Sequence, residues 1–397
     1  MRLRGLLSNA ALAAAAVLAA LALGELVVRV LPIGPQFQVV FRQTIAPSAD
    51  RDLDYELRPG AADGAAAISS AGLRDREFAT PKPPGGFRIA AIGDSVTYGS
   101  GGPRELAWPK RLEERLARLA ATPAPPASAA PGEPSIEVLN LGVPGYNVTQ
   151  VARRLRVRGL AFEPDLVVYG YVLNDPQAYS LEGAALHDMR EAAARGEPPG
   201  AGAAARWLSR SRLFLLLHAL VTSNAARSRA VVAGLPPDPA YAAPDGPARD
   251  AYFRALHSDA EGARRLSAGF AELAALSREH GFRVLVAIFP LFDATGPDLS
   301  LADVHAEVAE SARRAGLDVL DLLPAYQLAG DLGRRGLRID FLHPSPFGQR
   351  IAAAAMLDQL CRTGALPAAV DCARRTEGDS LDAALSRSLA APRPAGG

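Results

Sequence analysis

Lysine is almost absent from this chain, and the signatures of several protein classes are missing altogether. Lys82 and Lys110 are the only lysines in 397 residues, and 43 basic and 42 acidic residues leave a net charge of +1. No run of like charge stands out, which argues against a nucleic-acid partner. There is no G-x-x-x-x-G-K-[ST] phosphate loop, no G-x-G-x-x-G after a predicted strand, and no histidine with metal-ligand spacing to Cys, Asp or Glu. We therefore expect neither a metal ion nor any other cofactor.

Cysteine is equally scarce, since Cys361 and Cys372 are the only two. In an oxidising compartment these thiols could close a small loop near the C-terminus, and the alternative is two unpaired structural thiols. No histidine lies near them in a recognisable motif, so neither is a candidate nucleophile.

Residues 1–32 have the pattern of a membrane anchor or signal segment. Arg2 and Arg4 precede an uncharged stretch at 5–24 that is rich in Leu and Ala. Twenty helical residues span roughly 30 Å, the thickness of a bilayer core. Basic residues before the stretch predict a cytoplasmic N-terminus, with the remaining chain periplasmic or extracellular. A secretory signal peptide cleaved near Ala20-Leu21-Ala22 is the alternative interpretation.

The rest of the chain divides into a lead-in with little regular structure at 33–86, a core domain at 87–362 and a C-terminal tail at 363–397. Within the core, short apolar runs typical of buried parallel strands alternate with helical patterns. The predicted strands cover 87–92, 136–141, 165–172, 283–289 and 317–321. Predicted helices follow Pro109, begin at a cap on Thr149, and cover 259–280, 301–315 and 346–360. A helical insertion at 176–258 separates the third strand from the fourth, where it could cover or flank a site.

Strands that alternate with helices predict an α/β fold with a parallel sheet. Ligands of such sheets bind at the carboxyl ends of the strands, near a topological switch point. Ser95, Gly142 and Asn174 follow the first three predicted strands, while Asp340 and His343 lie beyond the fifth. We therefore expect these five residues to converge at one edge of the sheet.

Three short motifs bring chemistry to that edge, although each has an ordinary explanation on its own. Gly-Asp-Ser at 93–95 and Asn-Asp at 174–175 are common in turns. Asp-x-x-His at 340–343 also fits a helix entry or a metal pair. Together they supply a serine, a carboxylate and an imidazole in the order Ser, Asp, His. A serine hydroxyl is a weak nucleophile that needs an adjacent base held by a third group, and these motifs provide all three.

With these blocks in this order, the chain resembles the SGNH/GDSL hydrolase superfamily, and in particular its exported or membrane-anchored bacterial members. The matching blocks are Gly-Asp-Ser at 93–95, Gly142, Asn-Asp at 174–175 and Asp-x-x-His at 340–343, and the resemblance covers about 70–362. The first block continues with Val rather than Leu, a mild change. The resemblance implies a flavodoxin-like three-layer α/β/α sandwich around a five-stranded parallel sheet. It also implies a serine hydrolase that acts on ester bonds without a cofactor.

The same resemblance implies a role for each residue. Ser95 would attack the acyl carbonyl, His343 would be general base and then general acid, and Asp340 would orient the imidazole. The expected oxyanion donors are the backbone N–H groups of Ser95 and Gly142 and the side-chain amide of Asn174.

Three functions are open at this point. The first is an exported esterase that removes an acyl group from a carbohydrate or lipid of the cell envelope, with the membrane as a partner of its N-terminal helix. The second is an O-acyltransferase that uses the same triad. The third is a non-catalytic polysaccharide-binding protein on the same fold, since fold alone does not fix function.

Overall fold

The structure is a computed structural model that describes residues 13, 16–17, 19–27, 44–62, 67–120, 135–178, 213, 246–293, 296–331 and 336–376. Most of the predicted anchor at 1–32, residues 33–43 of the lead-in, most of the insertion at 176–258 and the tail beyond 376 therefore lie outside the described residues.

Contacts divide the chain into two units. The first comprises 1–43 and 187–236; its described residues are helical, and the backbone N–H of Leu213 donates to the Glu25 carboxylate at 2.9 Å. The second comprises 44–186 and 237–397 and holds the sheet. In the part of the chain that the structure describes, no helix is both long enough and apolar enough to cross a bilayer.

The lead-in contains more structure than its composition predicts. Strands β1 (Ile45–Pro47) and β2 (Tyr55–Leu57) pair antiparallel as a small hairpin. Leu53, Tyr55 and Leu73 are fully buried. The described part of 33–86 thus forms one short hairpin and is otherwise irregular, with several apolar side chains buried.

The core is a five-stranded parallel sheet with the order β4-β3-β5-β6-β7. Each strand ends within one residue of its predicted end. The strands predicted to start at 165 and 317 each start one residue later, and the other three start where they were predicted to start. This order confirms the predicted α/β fold and places a topological switch between β3 and β5. The strands are β3 (Phe87–Gly93), β4 (Ile136–Asn140), β5 (Leu166–Tyr171), β6 (Arg283–Ile288) and β7 (Asp318–Asp321).

Helices cover both faces of this sheet. They are α1 (Ser95–Tyr98), α2 (Trp108–Leu119), α3 (Val148–Arg154), α4 (Pro247–Ser258), α5 (Ala260–His280), α6 (Ala302–Arg314), α7 (Leu323–Asp331) and α8 (Pro346–Arg362). Ile89 and Val168 pack in one cluster with residues of α2, α7 and α8. Tyr169, the next residue of β5, instead contacts Phe270 of α5 at 6.5 Å between ring centroids. Since neighbouring residues of a strand face opposite sides, both faces are buried.

Helices α1, α3 and α7 differ from the prediction, since the short α1 was not predicted. Helix α3 is capped by Asn147 rather than Thr149, because the Asn147 carboxamide oxygen accepts from the N–H groups of Thr149 and Gln150. The Gln150 side chain in turn accepts from the Asn147 N–H and completes a capping box. Helix α7 was not predicted at all.

Cys361 at the end of α8 is bonded to Cys372, which confirms the predicted pairing. Closing a loop of this length stabilises the folded state by about 3 kcal/mol. The bonded segment also pairs with the end of α2 through the Ala120–Val370 bridge. The first residues of the predicted tail therefore belong to the core domain.

Candidate active site

Ser95 stands at the turn where β3 ends and α1 begins. The turn requires glycine at 93, where φ is +149° and a Cβ atom would lie 2.2 Å from Thr97 Oγ1 and 2.7 Å from the Gly170 carbonyl oxygen. Asp94 caps α1 by accepting the Val96 N–H at 2.9 Å. Ser95 is thus presented at the carboxyl edge of the sheet, beside the switch between β3 and β5.

The structure brings the three residues predicted for a triad together. Ser95 Oγ lies 2.9 Å from His343 Nε2, although 248 positions separate them. On the other side of the imidazole, His343 Nδ1 lies 2.9 Å and 2.8 Å from the two carboxylate oxygens of Asp340. A proton on Nδ1 would be shared with Asp340, and Nε2 would then be free to accept the serine proton.

Electrostatics favour this arrangement. Burial alone would lower the pKa of His343, but the adjacent Asp340 carboxylate outweighs burial and raises the pKa above its usual value. Burial would likewise raise the pKa of Asp340, yet its hydrogen bonds and charge interaction with His343 lower it. The Asp340 side chain is still 46% exposed, whereas that of His343 is 11% exposed. The carboxylate therefore faces solvent while the base is buried.

A second carboxylate also lies beside the serine. Ser95 Oγ is 3.2 Å from Asp94 Oδ2, so the hydroxyl proton has two acceptors within reach. Burial raises the pKa of Asp94. Asp175, the partner of Asn174 in its motif, is also buried, and burial raises its pKa well above the usual range. Asp175 accepts from the Tyr169 hydroxyl at 2.5 Å and thereby holds the loop that carries Asn174.

The expected oxyanion donors have different surroundings. Asn174 Oδ1 is buried and has no hydrogen-bond partner among the described residues. The Gly142 N–H donates to Asn140 Oδ1 at 3.0 Å and is therefore already engaged. A Cβ atom at 142 would lie 2.4 Å from Tyr98 N, so glycine there serves close packing against α1.

Sequence reasoning missed another glycine of the same loop. The turn at 143–146 closes with the Tyr146 N–H donating to the Val143 carbonyl at 3.3 Å. Gly145 has φ +78°, the value of the third residue of a type II turn, and follows Pro144. Nothing in the described residues accepts its N–H. The Pro-Gly pair is a turn signal that could have identified this position.

Arg74 and Gln349 are two further residues that sequence reasoning missed. Arg74 comes from the lead-in and donates to the carbonyl oxygens of Tyr98 at 3.0 Å, Gly99 at 3.2 Å and Gly102 at 2.8 Å. Gln349 of α8 donates to the Val96 carbonyl at 3.1 Å. Both hold the segment that follows Ser95, and neither belongs to a local motif.

Two other buried histidines contact structural partners. His257 Nε2 lies 2.8 Å from the Tyr171 hydroxyl, and burial lowers the pKa of His257 to about 4. His305 Nδ1 lies 2.8 Å from Asp321. No cluster of three or more His, Cys, Asp or Glu side chains within the described ranges is arranged to hold a metal ion. A polar cleft of about 530 Å³ between the lead-in, α3 and α5 contains neither Ser95 nor His343.

Comparison with known proteins agrees with this geometry. The model of the GDSL-like lipase/acylhydrolase family matches residues 91–351. No curated protein sequence matches the chain.

Several solved structures are similar. TesA shares 16% identity over 69% of this chain and 97% of its own, with a TM-score of 0.37. The acetyl xylan esterase AlAXEase shares 14% over 69% of this chain and 100% of its own, with a TM-score of 0.36. The lipase/acylhydrolase from Enterococcus faecalis shares 15% identity over 69% of this chain and 95% of its own, with a TM-score of 0.36. Similarity to solved structures at this low sequence identity gives no information about the substrate of this protein.

The family model spans well over half of the chain, and the Gly-Asp-Ser and Asp-x-x-His motifs both fall within the match. The chain therefore belongs to the GDSL-like lipase/acylhydrolase family and is a serine hydrolase that acts on ester bonds.

Proposed function

We propose that this protein is an esterase that hydrolyses an ester-linked acyl group on a carbohydrate or lipid of the cell envelope, through an acyl-enzyme on Ser95. The observation that supports the chemistry most directly is the unbroken series of contacts from Ser95 Oγ to His343 Nε2 and from His343 Nδ1 to Asp340, all at 2.8–2.9 Å. A nucleophile, a base and an orienting carboxylate in this order are the parts that acyl transfer requires.

In the proposed mechanism, Ser95 Oγ attacks the acyl carbonyl carbon while His343 Nε2 takes the hydroxyl proton. The imidazolium that forms is stabilised by Asp340, whose influence already raises the pKa of His343. When the tetrahedral intermediate collapses, Nε2 gives the proton to the leaving alkoxide, and the acyl group stays on Ser95. His343 then takes a proton from water, which attacks the acyl-enzyme. When the second tetrahedral intermediate collapses, Nε2 returns that proton to Ser95 Oγ and the acid is released.

The negative charge on the carbonyl oxygen needs preorganised donors. We propose the Ser95 N–H, the Asn174 side-chain amide and the Gly145 N–H for this role. Gly145 replaces Gly142 in the set, because the Gly142 N–H is engaged with Asn140 while the Gly145 N–H has no acceptor in the described part of the molecule. Two of the three donors therefore come from turns that follow β4 and β5.

We also propose that the domain works outside the cytoplasm, either anchored by residues 1–32 or secreted after their cleavage. The apolar stretch at 5–24 supports export. The Cys361–Cys372 disulfide supports it independently, since disulfides persist mainly in oxidising compartments. An exported acyl-ester hydrolase would find its substrates among envelope carbohydrates and lipids.

The experiment that tests this function combines a fluorophosphonate probe with p-nitrophenyl esters of increasing acyl length, using the full chain beside Ser95→Ala. We expect the wild type to be labelled at Ser95 and to turn over at least one ester, and Ser95→Ala to do neither. Ester turnover that survives in Ser95→Ala would contradict the acyl-enzyme.

The same samples separate the alternatives. Labelling without hydrolysis, together with a product that forms only when a sugar acceptor is added, would identify an O-acyltransferase. A well-folded wild type that no serine-directed probe labels would identify a non-catalytic binding protein. Fractionation of the native cells, with the domain probed by external protease, tests the proposed location.

A further inference from the structure

We infer that Tyr55, in the hairpin that precedes the family domain, is a positioning residue for catalysis. Its hydroxyl holds the Pro144–Gly145 peptide in the orientation that presents the Gly145 N–H to the developing oxyanion. The inference rests on the proposed acyl-enzyme mechanism and assigns a catalytic purpose to a residue that lies outside the matched residues 91–351.

The contact is long-range and buried. The Tyr55 hydroxyl donates to the Pro144 carbonyl oxygen at 2.8 Å, across 89 positions of the chain. Tyr55 is fully buried. Its ring packs against that of Tyr146, with centroids 5.2 Å apart, and the Tyr146 hydroxyl donates to the Tyr55 carbonyl oxygen. The hairpin and the turn are thus joined by two hydrogen bonds that run in opposite directions.

The first of these bonds determines where the Gly145 N–H points. In a planar trans peptide, the C=O and N–H groups project in opposite directions. A Pro144 carbonyl directed at the hairpin therefore directs the Gly145 N–H away from the hairpin. No described group accepts that N–H, and Gly145 is partly exposed, so the donor is available to a ligand.

The turn is also anchored next to the nucleophile. The Val143 N–H donates to the Gly93 carbonyl at 3.1 Å, two residues before Ser95, and Gly142 packs against the backbone of Thr97 and Tyr98. These contacts place the turn that carries the Gly145 N–H beside the segment that carries Ser95.

The peptide needs such a restraint because its sequence permits the opposite orientation. Type I and type II turns differ mainly by a rotation of the central peptide, which reverses its C=O and N–H groups. Proline at the second position suits both types, and glycine at the third position is tolerated in both. Pro144 and Gly145 favour the type II form, because its third position requires a positive φ, but the type I form remains accessible to the same two residues. The Tyr55 hydroxyl, which finds its acceptor only in the observed orientation, selects it.

Tyr55→Phe tests the inference, because it removes the hydroxyl and keeps the ring. Tyr146→Phe is the matched control, since it removes the other buried hydroxyl bond between hairpin and turn without affecting the Pro144 carbonyl. We would measure kcat and KM with p-nitrophenyl acetate, the rate constant of fluorophosphonate labelling, and Tm, for both variants of the full chain.

We expect both substitutions to lower Tm by a similar amount. In Tyr55→Phe, kcat and the labelling rate constant should fall about tenfold or more with KM nearly unchanged, because a donor needed in the transition state is lost from part of the population. In Tyr146→Phe, kcat should stay within about twofold of wild type. Equal losses of kcat in both variants would show a merely structural role and overturn the inference, as would a wild-type kcat in Tyr55→Phe.

Ser95→Ala measured alongside separates this inference from the function on which it rests. If Ser95→Ala is inactive and Tyr55→Phe has wild-type kcat, the positioning role alone fails. If Ser95→Ala keeps its activity, or if the wild type is neither labelled nor active, the acyl-enzyme mechanism fails and the positioning role with it.

Discussion

Ser95 and His343 are both buried at one edge of the sheet, but the segments that carry them are held by contacts of very different span. His343 is oriented from within its own loop: the Asp340 carboxylate accepts from the His343 backbone N–H at 2.8 Å and from its ring. The Ile339 N–H, in turn, donates to the His343 carbonyl. The base half of the site is therefore local in sequence.

The nucleophile half depends on distant residues. Arg74 binds three carbonyl groups between 98 and 102, Gln349 binds the Val96 carbonyl, and Tyr55 binds the Pro144 carbonyl. Two of these three residues come from the lead-in. The difference shows that the lead-in belongs to the working domain, because it satisfies backbone groups that the family domain leaves open around the serine.

The largest effect should come from removing either half outright. Ser95→Ala and His343→Ala should each lower kcat by about 10⁴-fold or more, because nucleophile and base act as one unit. The double variant should be no worse than either single one. Steady-state turnover of a p-nitrophenyl ester measures this, and circular dichroism verifies the fold. Additive losses would show that the two halves act independently.

The next largest effect should come from Asp340→Asn, which tests the local half. It should lower kcat by about 10³-fold, because the imidazole loses its orienting carboxylate. In the wild type, kcat/KM should rise with pH through a pKa above the usual value of His, since Asp340 favours protonated His343. Without that charge the pKa falls, so the acid limb should move to lower pH.

Asp321→Asn is the matched control, because it removes the carboxylate that His305 contacts at 2.8 Å in a second His–Asp pair. Its kcat and acid limb should equal those of the wild type. An acid limb that stays in place in Asp340→Asn would show that Asp340 does not set the pKa of the base.

A smaller effect is expected for Asn174, a donor of the nucleophile half. Asn174→Ala should lower kcat by about 10²- to 10³-fold with little change in KM, while Ser95 still reacts with a fluorophosphonate. Asn174→Asp keeps the shape but removes the N–H donors, so it should be at least as impaired. An active Asn174→Asp would exclude the amide as a donor. Burst kinetics of acylation provide the measurement.

The smallest expected effect on catalysis comes from Arg74, whose removal should mainly lower the stability of the fold. Arg74→Met should lower the free energy of unfolding by about 3 kcal/mol, because it removes a donor from the buried carbonyl groups at 98 and 99 and from the partly exposed carbonyl group at 102. Urea denaturation followed by fluorescence measures the loss. Arg264→Met, on an exposed part of α5, is the control and should change little. A wild-type midpoint in Arg74→Met would mean that the lead-in does not support the serine segment.

Much of this architecture could be predicted from the sequence, because buried parallel strands are continuous apolar runs. The ends of the strands and the meeting of Ser95, Asp340 and His343 follow from that pattern and from two short motifs. Helix α7 was missed because it lies directly after β7 without a separate apolar pattern. The cap of α3 was misplaced by two residues, since Asn147 and Thr149 are both good capping residues and only the backbone conformation distinguishes them.

The amino-acid sequence by itself determined the sheet and indicated the proposed nucleophile and the proposed base with its carboxylate, because periodicity and motifs are properties of neighbouring residues. The tertiary structure alone decided which glycine N–H is engaged and which is available, and which side chains hold the turn at 143–146. Those outcomes depend on contacts such as Tyr55 to Pro144 and Arg74 to Tyr98. A hydrogen bond between residues that are distant in the chain leaves no periodic trace in the sequence, since only folding brings its donor and acceptor together.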